Sequence, residues 1–246
     1  MQQGLLLRPE KADGALREAQ LMEGVLTHLP LFSGIAPHQV QQVASQSRVV
    51  HGRRGEVICT RGALLPGLVA VAYGMLKLAL RRADGEERVV RFLGAGESFG
   101  EASVLLARPS LVDAVALEDT QLVIAPAPML RRMVELDRRF AHNLVDALAC
   151  RSLDLLAELE ASVQQCGVQR LACFLDSLAE PGRQAGNWIA RLPATKTAVA
   201  ARLGVKKETL SRMLRGLAEQ GLIEVSGREV AILDRPGLAR AAADRT

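Results

Sequence analysis

The sequence of 246 residues lacks several features that would assign it to other classes of protein. It holds only four cysteines, and they are too scattered to predict a disulfide framework. No run of 18 or more residues is free of charge, so we expect no transmembrane helix and no membrane partner. The leucines near the start form too short an apolar stretch, with the wrong flanks, for a signal peptide. The cytoplasm is the expected location.

Patterns typical of enzymes and metal sites are also missing. The chain has no nucleophile elbow and no spacing of histidines and cysteines typical of a metal site. It shows no pairing of Ser with His, or of Cys with His, that the sequence itself brings together. We therefore predict neither a catalytic residue nor a metal site.

The positive charge is concentrated in the C-terminal third. Residues 163–246 hold 13 Lys and Arg against 8 Asp and Glu, whereas the net charge of the whole chain is +4. The remainder is therefore close to neutral. Such a basic region is typical of a protein that binds a polyanion, although a solvated basic face gives the same pattern.

The N-terminal half predicts short strands separated by glycine turns, from about residue 49 to residue 126. The segments "MLKLALRR" and "EERVVRFL" flank Ala83, Asp84 and Gly85, which predicts a β-hairpin with Asp-Gly at its turn. Regular spacing of such strands is typical of a β-sandwich or a β-roll. A helix at about residues 18–27 precedes them.

Residues 129–165 contain no proline or glycine and follow a helical pattern. Within them a seam recurs at alternating spacings of three and four, formed by Val145, Leu148, Ser152, Leu155, Leu159 and Ser162. A heptad seam of this length favours a two-stranded coiled coil that holds a homodimer. The alternative is an amphipathic helix that packs on its own domain.

The C-terminal part predicts a helix, a turn, a second helix and a hairpin. Thr195 or Thr197 can cap a first helix that ends at Gly204, and the second helix begins near Lys207. Two strands around Ser226-Gly227 follow. This order is typical of a winged helix-turn-helix, and together with the strands of the first half it predicts an α+β fold.

The second of these helices has one apolar face and one polar end. Its apolar face is formed by Leu210, Met213, Leu214 and Leu217. In DNA-binding helix-turn-helix units the N-terminal end enters the major groove, where Arg binds guanine and Glu accepts from cytosine. An ordinary surface helix with an ion pair between Glu208 and Arg212 is the alternative. The predicted DNA-contacting residues are Thr195, Lys196, Thr197, Lys206, Lys207, Glu208, Thr209, Ser211 and Arg212.

These motifs resemble those of the CRP/FNR transcription regulators over about residues 21–234. "LPLFSGIAPHQVQQVA" resembles the helical segment that leads into the family's sensor domain. "GESFGEA" resembles the turn that cradles the phosphate in cyclic-nucleotide-binding members. "ETLSR" at Glu208–Arg212 resembles the recognition helix of the FNR and DNR branches, while Lys207 stands where the CRP branch has an arginine.

The resemblance implies an architecture and a set of partners. It predicts an N-terminal tail (1–20), a cyclic-nucleotide-binding-like β-roll as sensor (21–128), a dimerisation helix (129–165) and a winged helix-turn-helix (166–246). The implied partners are a second copy of the chain, RNA polymerase and double-stranded DNA with half-sites similar to TTGAT, where the protein would act as an activator. A ligand-binding signalling module whose basic domain meets another protein is the alternative.

The resemblance also gives three candidate effectors. By likeness the effector pocket includes Gly100, Glu101, Ala102 and Ser103. Cyclic-nucleotide binders carry an Arg-Ser or Arg-Thr pair about ten residues beyond this glutamate, but the corresponding stretch here is Ser110, Leu111 and Val112, which has no cation. We therefore predict that cAMP does not bind, and keep a cyclic-nucleotide-responsive regulator as the alternative.

An iron–sulfur cluster needs clustered cysteine thiolates, and the first 58 residues contain no cysteine. We therefore predict no [4Fe-4S] cluster, and predict that Cys59, Cys150, Cys166 and Cys173 are small buried apolar side chains. The DNR branch, which responds to nitric oxide, lacks both the cluster and the arginine, as this chain does. That likeness makes haem a candidate cofactor and His28 its candidate axial ligand.

Overall fold

The computed structural model describes residues 15–81, 85–182 and 188–243, and the chain divides into two compact units between Ser152 and Leu153. The predicted α+β architecture is confirmed, with a β-sheet domain, a long helix and a helix-turn-helix domain in that order. Two residues of the predicted hairpin turn, Ala83 and Asp84, lie outside the described residues, as do residues 1–14 of the predicted tail.

The first unit is built mainly from short strands and short helices. Its helices are α1 (Ala15–His28), a 3₁₀ turn (Pro30–Phe32), α2 (Pro37–Ala44), α3 (Glu101–Leu105), α4 (Ala127–Leu136) and the first part of α5 (Arg138–Gln164). Its strands are β1 (Arg48–Gly52), β2 (Val57–Cys59), β3 (Gly67–Tyr73), β4 (Leu76–Arg81), β5 (Glu87–Leu93), β6 (Ser98–Phe99), β7 (Asp113–Ala116) and β8 (Thr120–Pro126).

The strands form two four-stranded antiparallel sheets, in the orders β1-β8-β3-β6 and β2-β7-β4-β5. Strand β3 is central, and its residues from Gly67 to Val71 are all buried. Gly67 is required there because a Cβ atom would lie 1.9 Å from the carbonyl oxygen of Ala125 on β8. The predicted pairing of β4 with β5 is confirmed, with Arg81 opposite Glu87.

The structure differs from the single helix predicted over residues 129–165, because the chain breaks at Asp137. Helix α4 ends at Leu136, and α5 begins at Arg138. The Asp137 Oδ1 atom accepts hydrogen bonds from the backbone amides of Arg139 and Phe140, each at 2.9 Å. The carboxylate therefore caps α5. The Phe140 hydrogen bond is the main cause of a pKa of Asp137 that lies below its ordinary value.

Replacing Asp137 with Ala should destabilise the protein by about 1 kcal/mol at pH 7, because two amides lose their acceptor. A depressed folded-state pKa means that this contribution is present above the unfolded pKa of about 3.9, and is lost as the pH falls through the folded pKa. Asp137→Asn should keep much of the cap but lose this pH dependence. Urea unfolding at pH 7 and pH 3 measures both effects. An Ala variant with the same loss at both pH values would contradict this explanation.

The start of α5 is fixed to the first unit by two contacts. The buried Phe140 ring meets Phe32 edge to face, with ring centroids 5.1 Å apart. The Asn143 side chain donates hydrogen bonds to the carbonyl oxygens of Leu31, at 3.1 Å, and Ser33, at 2.9 Å. Phe140 and Leu144 are the only buried side chains of α5, all of which is described.

The second unit places helices against one small sheet. Its further elements are α6 (Gly167–Ser177), β9 (Ala179–Pro181), β10 (Trp188–Arg191), α7 (Lys196–Leu203), α8 (Lys207–Glu219), β11 (Ile223–Ser226), β12 (Glu229–Ile232) and α9 (Arg235–Ala243). The strands form one antiparallel sheet in the order β11-β12-β10-β9. The hairpin predicted around Ser226-Gly227 is confirmed, and it forms the wing.

The prediction that all four cysteines are buried is wrong for three of them. Cys59 is buried, and this burial raises the pKa of its thiol above the ordinary value. Cys150, Cys166 and Cys173 are exposed. Cys150 lies on α5 beyond its last buried residue, Cys166 precedes the first turn of α6, and Cys173 lies on the outer face of α6.

Candidate nucleic-acid interface

The turn between α7 and α8 forms as its sequence predicts. The Thr195 Oγ1 atom accepts a hydrogen bond from the Ala198 amide at 3.4 Å and so caps α7. Gly204 ends α7 with φ of 66°, a left-handed conformation that glycine adopts without strain. Lys206 then precedes the first residue of α8. The cap and the glycine therefore fix the angle at which α8 leaves the turn.

Helix α8 separates an apolar face from a polar end. Its buried residues are Leu210, Met213, Leu214 and Leu217, as predicted. They pack with Val199 and Leu203 of α7 in one apolar core. The predicted reading residues on the other face, Lys207, Glu208, Ser211 and Arg212, are exposed, as is Lys206. Because the apolar face of α8 is buried, its polar face is directed to solvent.

The remaining predicted contacts adjoin this end of α8. Thr195 and Thr197 are exposed at the start of α7, whereas Lys196 and Thr209 are half-buried. The Ser211 hydroxyl donates to the carbonyl oxygen of Lys207 at 3.1 Å, which leaves its oxygen free to accept. These residues lie in the first turns of α7 and α8 and just before them, and the two helices pack in one apolar core.

The Arg212 guanidinium is held by a neighbour other than the one its spacing suggests. Its Nη2 atom lies 3.4 Å from Thr209 Oγ1, at the long end of hydrogen-bond distance. Within the described ranges no ion pair joins Arg212 to Glu208, although the two residues are one turn apart. Arg212 therefore remains available to a ligand.

Two basic residues near the interface were not predicted. Arg215 is exposed and lies three residues after Arg212 and four after Ser211. It therefore continues the polar face of α8. In the wing, Arg228 donates hydrogen bonds to the carbonyl oxygens of Leu192, at 3.0 Å, and Pro193, at 2.6 Å. The helical spacing could have identified Arg215. The Arg228 contacts depend on the fold, because they join residues more than 30 positions apart.

The predicted effector residues lie together at the start of α3. Gly100 has φ of 100° and precedes Glu101, the first residue of α3. The Glu101 Oε1 atom accepts a hydrogen bond from the Ser98 hydroxyl at 2.5 Å. Ser103 is half-buried and Ala102 is exposed. This short turn therefore has one carboxylate that can meet a hydroxyl.

The segment that would carry a phosphate-binding cation is apolar, as predicted. Leu111 is 73% exposed, and Val112 packs against the core of the unit. Ser110 is buried, and its hydroxyl donates to the carbonyl oxygen of Val112 at 2.8 Å. Arg108 lies on the surface nearby.

The four histidines do not lie in an enclosed site within the described chain. His28, His38, His51 and His142 are all exposed. The Nδ1 atom of His28 lies 2.7 Å from the carbonyl oxygen of Gly24 in the same helix, so Nε2 is its free nitrogen. A haem ligand normally lies in an apolar pocket that controls access to the iron. The surroundings of His28 in one chain do not fit haem.

The predicted dimer seam is largely exposed. Val145, Leu155 and Leu159 are 62%, 45% and 60% exposed, and Ser152 is also exposed. Leu148 differs, because it packs partly against the core of the first unit. Three apolar residues outside the predicted seam, Leu153, Leu156 and Val163, are 67%, 62% and 78% exposed. The uncovered apolar face of α5 is therefore wider than the seam.

Neither a metal site nor a membrane-spanning helix is indicated in the described ranges. No group of three or more His, Cys, Asp or Glu residues there could hold a metal ion. None of the described helices is both long and apolar enough to cross a membrane.

Comparison with known proteins identifies the two domains. The family model of the cyclic nucleotide-binding domain matches residues 49–137, and that of the Crp-like helix-turn-helix domain matches residues 169–241. The fold and the exposed face of α8 thus define a DNA-binding transcription regulator.

Similar proteins assign the family. The Cyclic AMP receptor protein of Thermus thermophilus is 34% identical over an alignment of 213 residues that covers 83% of this chain and 95% of that protein. The Nitrogen fixation regulation protein FixK of Rhizobium meliloti is 31% identical, over 76% of this chain and 82% of that protein. The structure of FixK2 from Bradyrhizobium japonicum has the same fold, with a TM-score of 0.71 at 23% identity over 81% of this chain and 99% of that one. The chain belongs to the CRP/FNR family. The proteins of this family to which it is similar are transcription regulators and not enzymes.

Proposed function

We propose that the protein is a homodimer that reads two half-sites similar to TTGAT, one with the α8 helix of each protomer. The observation that carries this proposal is the exposed cluster of Glu208, Ser211 and Arg212 on a helix whose opposite face is buried. A symmetric dimer places two such helices in successive major grooves, about 34 Å apart. RNA polymerase is the proposed partner on DNA, and activation is the proposed effect.

The chemistry of each side chain supports a division of roles. Arg212 can donate two hydrogen bonds to guanine O6 and N7, and Glu208 can accept one from cytosine N4. Lys206 and Lys207 lie at the positive end of α8, where phosphate oxygens are favoured. The Ser211 hydroxyl donates to the Lys207 carbonyl oxygen, so its own oxygen is free to accept a hydrogen bond from a base.

Titration against salt tests the proposal. We expect tight binding to a duplex with two inverted TTGAT-like half-sites and weaker binding to a scrambled duplex. Both affinities should fall with added salt, with a logarithmic slope of about 0.9 per phosphate contact. Association that ignores salt and sequence would favour the signalling module that binds another protein.

For the effector, we propose that the sensor domain takes a ligand other than cAMP. The relatives include both a Cyclic AMP receptor protein and FixK, so the family alone leaves the ligand open. Leu111 supports this proposal, because an apolar side chain cannot neutralise a cyclic phosphate. The Glu101 carboxylate could still meet a ribose hydroxyl.

Calorimetric titration with cAMP should show no binding to the natural chain. A variant with Leu111→Arg and Val112→Ser supplies the missing pair and should gain measurable affinity. Leu111→Gln with Val112→Ser is the matched control, because it adds polarity without charge. Tight binding of cAMP by the natural chain would show that another cation, such as Arg108, reaches the phosphate.

A response to nitric oxide through haem is the finer hypothesis for the signal. Since His28 is exposed in one chain, haem binding there needs further enclosure that a second protomer would have to provide. The absorption spectrum of the chain mixed with haem tests this directly. A Soret band that shifts with nitric oxide and weakens in His28→Ala would support haem binding. A spectrum identical to that of free haem would contradict it.

A further inference from the structure

A cavity of about 500 Å³ lies within the second unit, where the first turn of α6 faces α8. Its wall is mostly apolar and includes Val168, Val205, Met213 and Leu217. Its volume falls within the range of small-molecule sites, about 300–1,000 Å³. The effector residues of the sensor domain take no part in it, so it is a second place where a small ligand could bind.

Gly216 keeps this cavity open. It lies inside α8, where glycine is less favourable than alanine. A Cβ atom at Gly216 would meet nothing within 4 Å, so no packing constraint in the chain requires glycine there. On the other wall, a Cβ atom at Gly167 would lie 2.9 Å from the Met213 sulfur, so this glycine allows α6 to approach α8. Gly216 thus leaves space beside α8, and Gly167 lets α6 approach the same helix.

The polar groups of the cavity carry one sign of charge. Arg170 and Arg212 belong to its lining, and no lining residue is acidic. Neither guanidinium forms an ion pair with any residue that the structure describes. Arg170 is held in place by the carbonyl oxygens of Leu203, at 3.2 Å, and Gln165, at 2.5 Å. An apolar cavity with two such cations favours a ligand that has an apolar body and one anionic group.

We propose that this cavity binds a small organic acid with an apolar body, and that the bound acid competes with DNA for Arg212. The competition rests on the proposed function, because Arg212 both lines the cavity and belongs to the DNA-reading face of α8. A carboxylate on the Arg212 guanidinium occupies the donors that guanine requires. By linkage, specific DNA must lower the affinity for the acid by the same factor.

Binding of 1-naphthoate to the full chain without DNA tests the site by calorimetry. We expect saturable binding, with little binding of the uncharged 1-naphthalenemethanol. Gly216→Leu fills the cavity and excludes the naphthyl ring, so it should lower the affinity at least about tenfold. Gly216→Ala should give a smaller loss while favouring the helix. Ser177→Leu, an exposed change on α6 outside the cavity, should bind 1-naphthoate as the natural chain does.

The second arm measures DNA affinity with and without saturating 1-naphthoate at matched ionic strength. We expect a loss of about tenfold on the specific duplex, less on a scrambled duplex, and none in Gly216→Leu. No binding of 1-naphthoate, or equal binding to Gly216→Leu, would overturn the site. Binding without any effect on DNA would overturn the competition. In each of these cases specific DNA binding in the absence of acid still stands, so the proposed function fails only by its own test.

Discussion

A glutamate in place of Leu159 is expected to convert the protein into a monomer that no longer binds its operator. Leu159 belongs to the predicted seam and is 60% exposed in one chain. Across a two-fold axis the new carboxylate would be buried opposite its own copy, without a cation to pair with. An uncompensated buried charge costs about 3–5 kcal/mol, so the dissociation constant of the dimer should rise by more than a hundredfold. Sedimentation and operator binding, measured on the same samples, report the two losses together.

Leu136→Glu is the matched control, because it adds the same charge at an exposed leucine of α4 outside the seam. It should remain a dimer. Comparing Leu155→Glu with Leu156→Glu then identifies which face of α5 meets the partner. The heptad seam predicts the larger effect at Leu155, whereas the greater exposure of Leu156 favours the neighbouring face. If Leu159→Glu stays dimeric and binds its operator, α5 does not hold the dimer.

Replacing Arg212 with Ala should remove most of the discrimination between a TTGAT-like duplex and scrambled DNA. A bidentate contact between arginine and guanine is worth about 1–3 kcal/mol on the specific site. Because Arg212 lies 3.4 Å from Thr209 and forms no ion pair with Glu208, its loss leaves no buried charge behind. Non-specific binding, which phosphate contacts carry, should change much less.

Lys206→Ala provides the contrast for this experiment. Lys206 is exposed and precedes α8, where a phosphate contact is expected. Its loss should weaken binding to both duplexes about equally and reduce the salt slope by about one contact. Isotherms at one salt concentration on both duplexes separate the two roles. If Arg212→Ala also weakens both duplexes equally, Arg212 contacts the backbone and another residue reads the base.

The helix-turn-helix could be predicted almost to the residue because its signals are local. The Thr195 cap, the left-handed Gly204 and the apolar face of α8 all lie within a few positions of the structure they cause. The same holds for the wing hairpin at Gly227. Each of these features depends on neighbours in sequence, so the rest of the fold does not have to be known.

Features that depend on distant contacts could not be predicted in this way. Asp137 caps α5 inside a run without proline or glycine, and the helix starts there because Phe140 packs on Phe32. The cavity between α6 and α8 depends on a close approach at Gly167 that only the folded unit shows. Exposure of Cys150 follows from the lack of packing along α5, which the helical pattern alone does not reveal.

The lack of buried side chains in α5 beyond Leu144 has a consequence for the time scale of hydrogen exchange. Residues 145–164 make a helix about 30 Å long, supported by the partly buried Leu148 and by an ion pair of Glu158 with Arg202 at 2.6 Å. A helix of that length with so few contacts is marginal in water. Their amide protons should therefore exchange faster as the protein is diluted, while those of residues 141–144 stay protected by the packing of Phe140. The backbone order of this segment thus becomes a function of how many copies the cell contains.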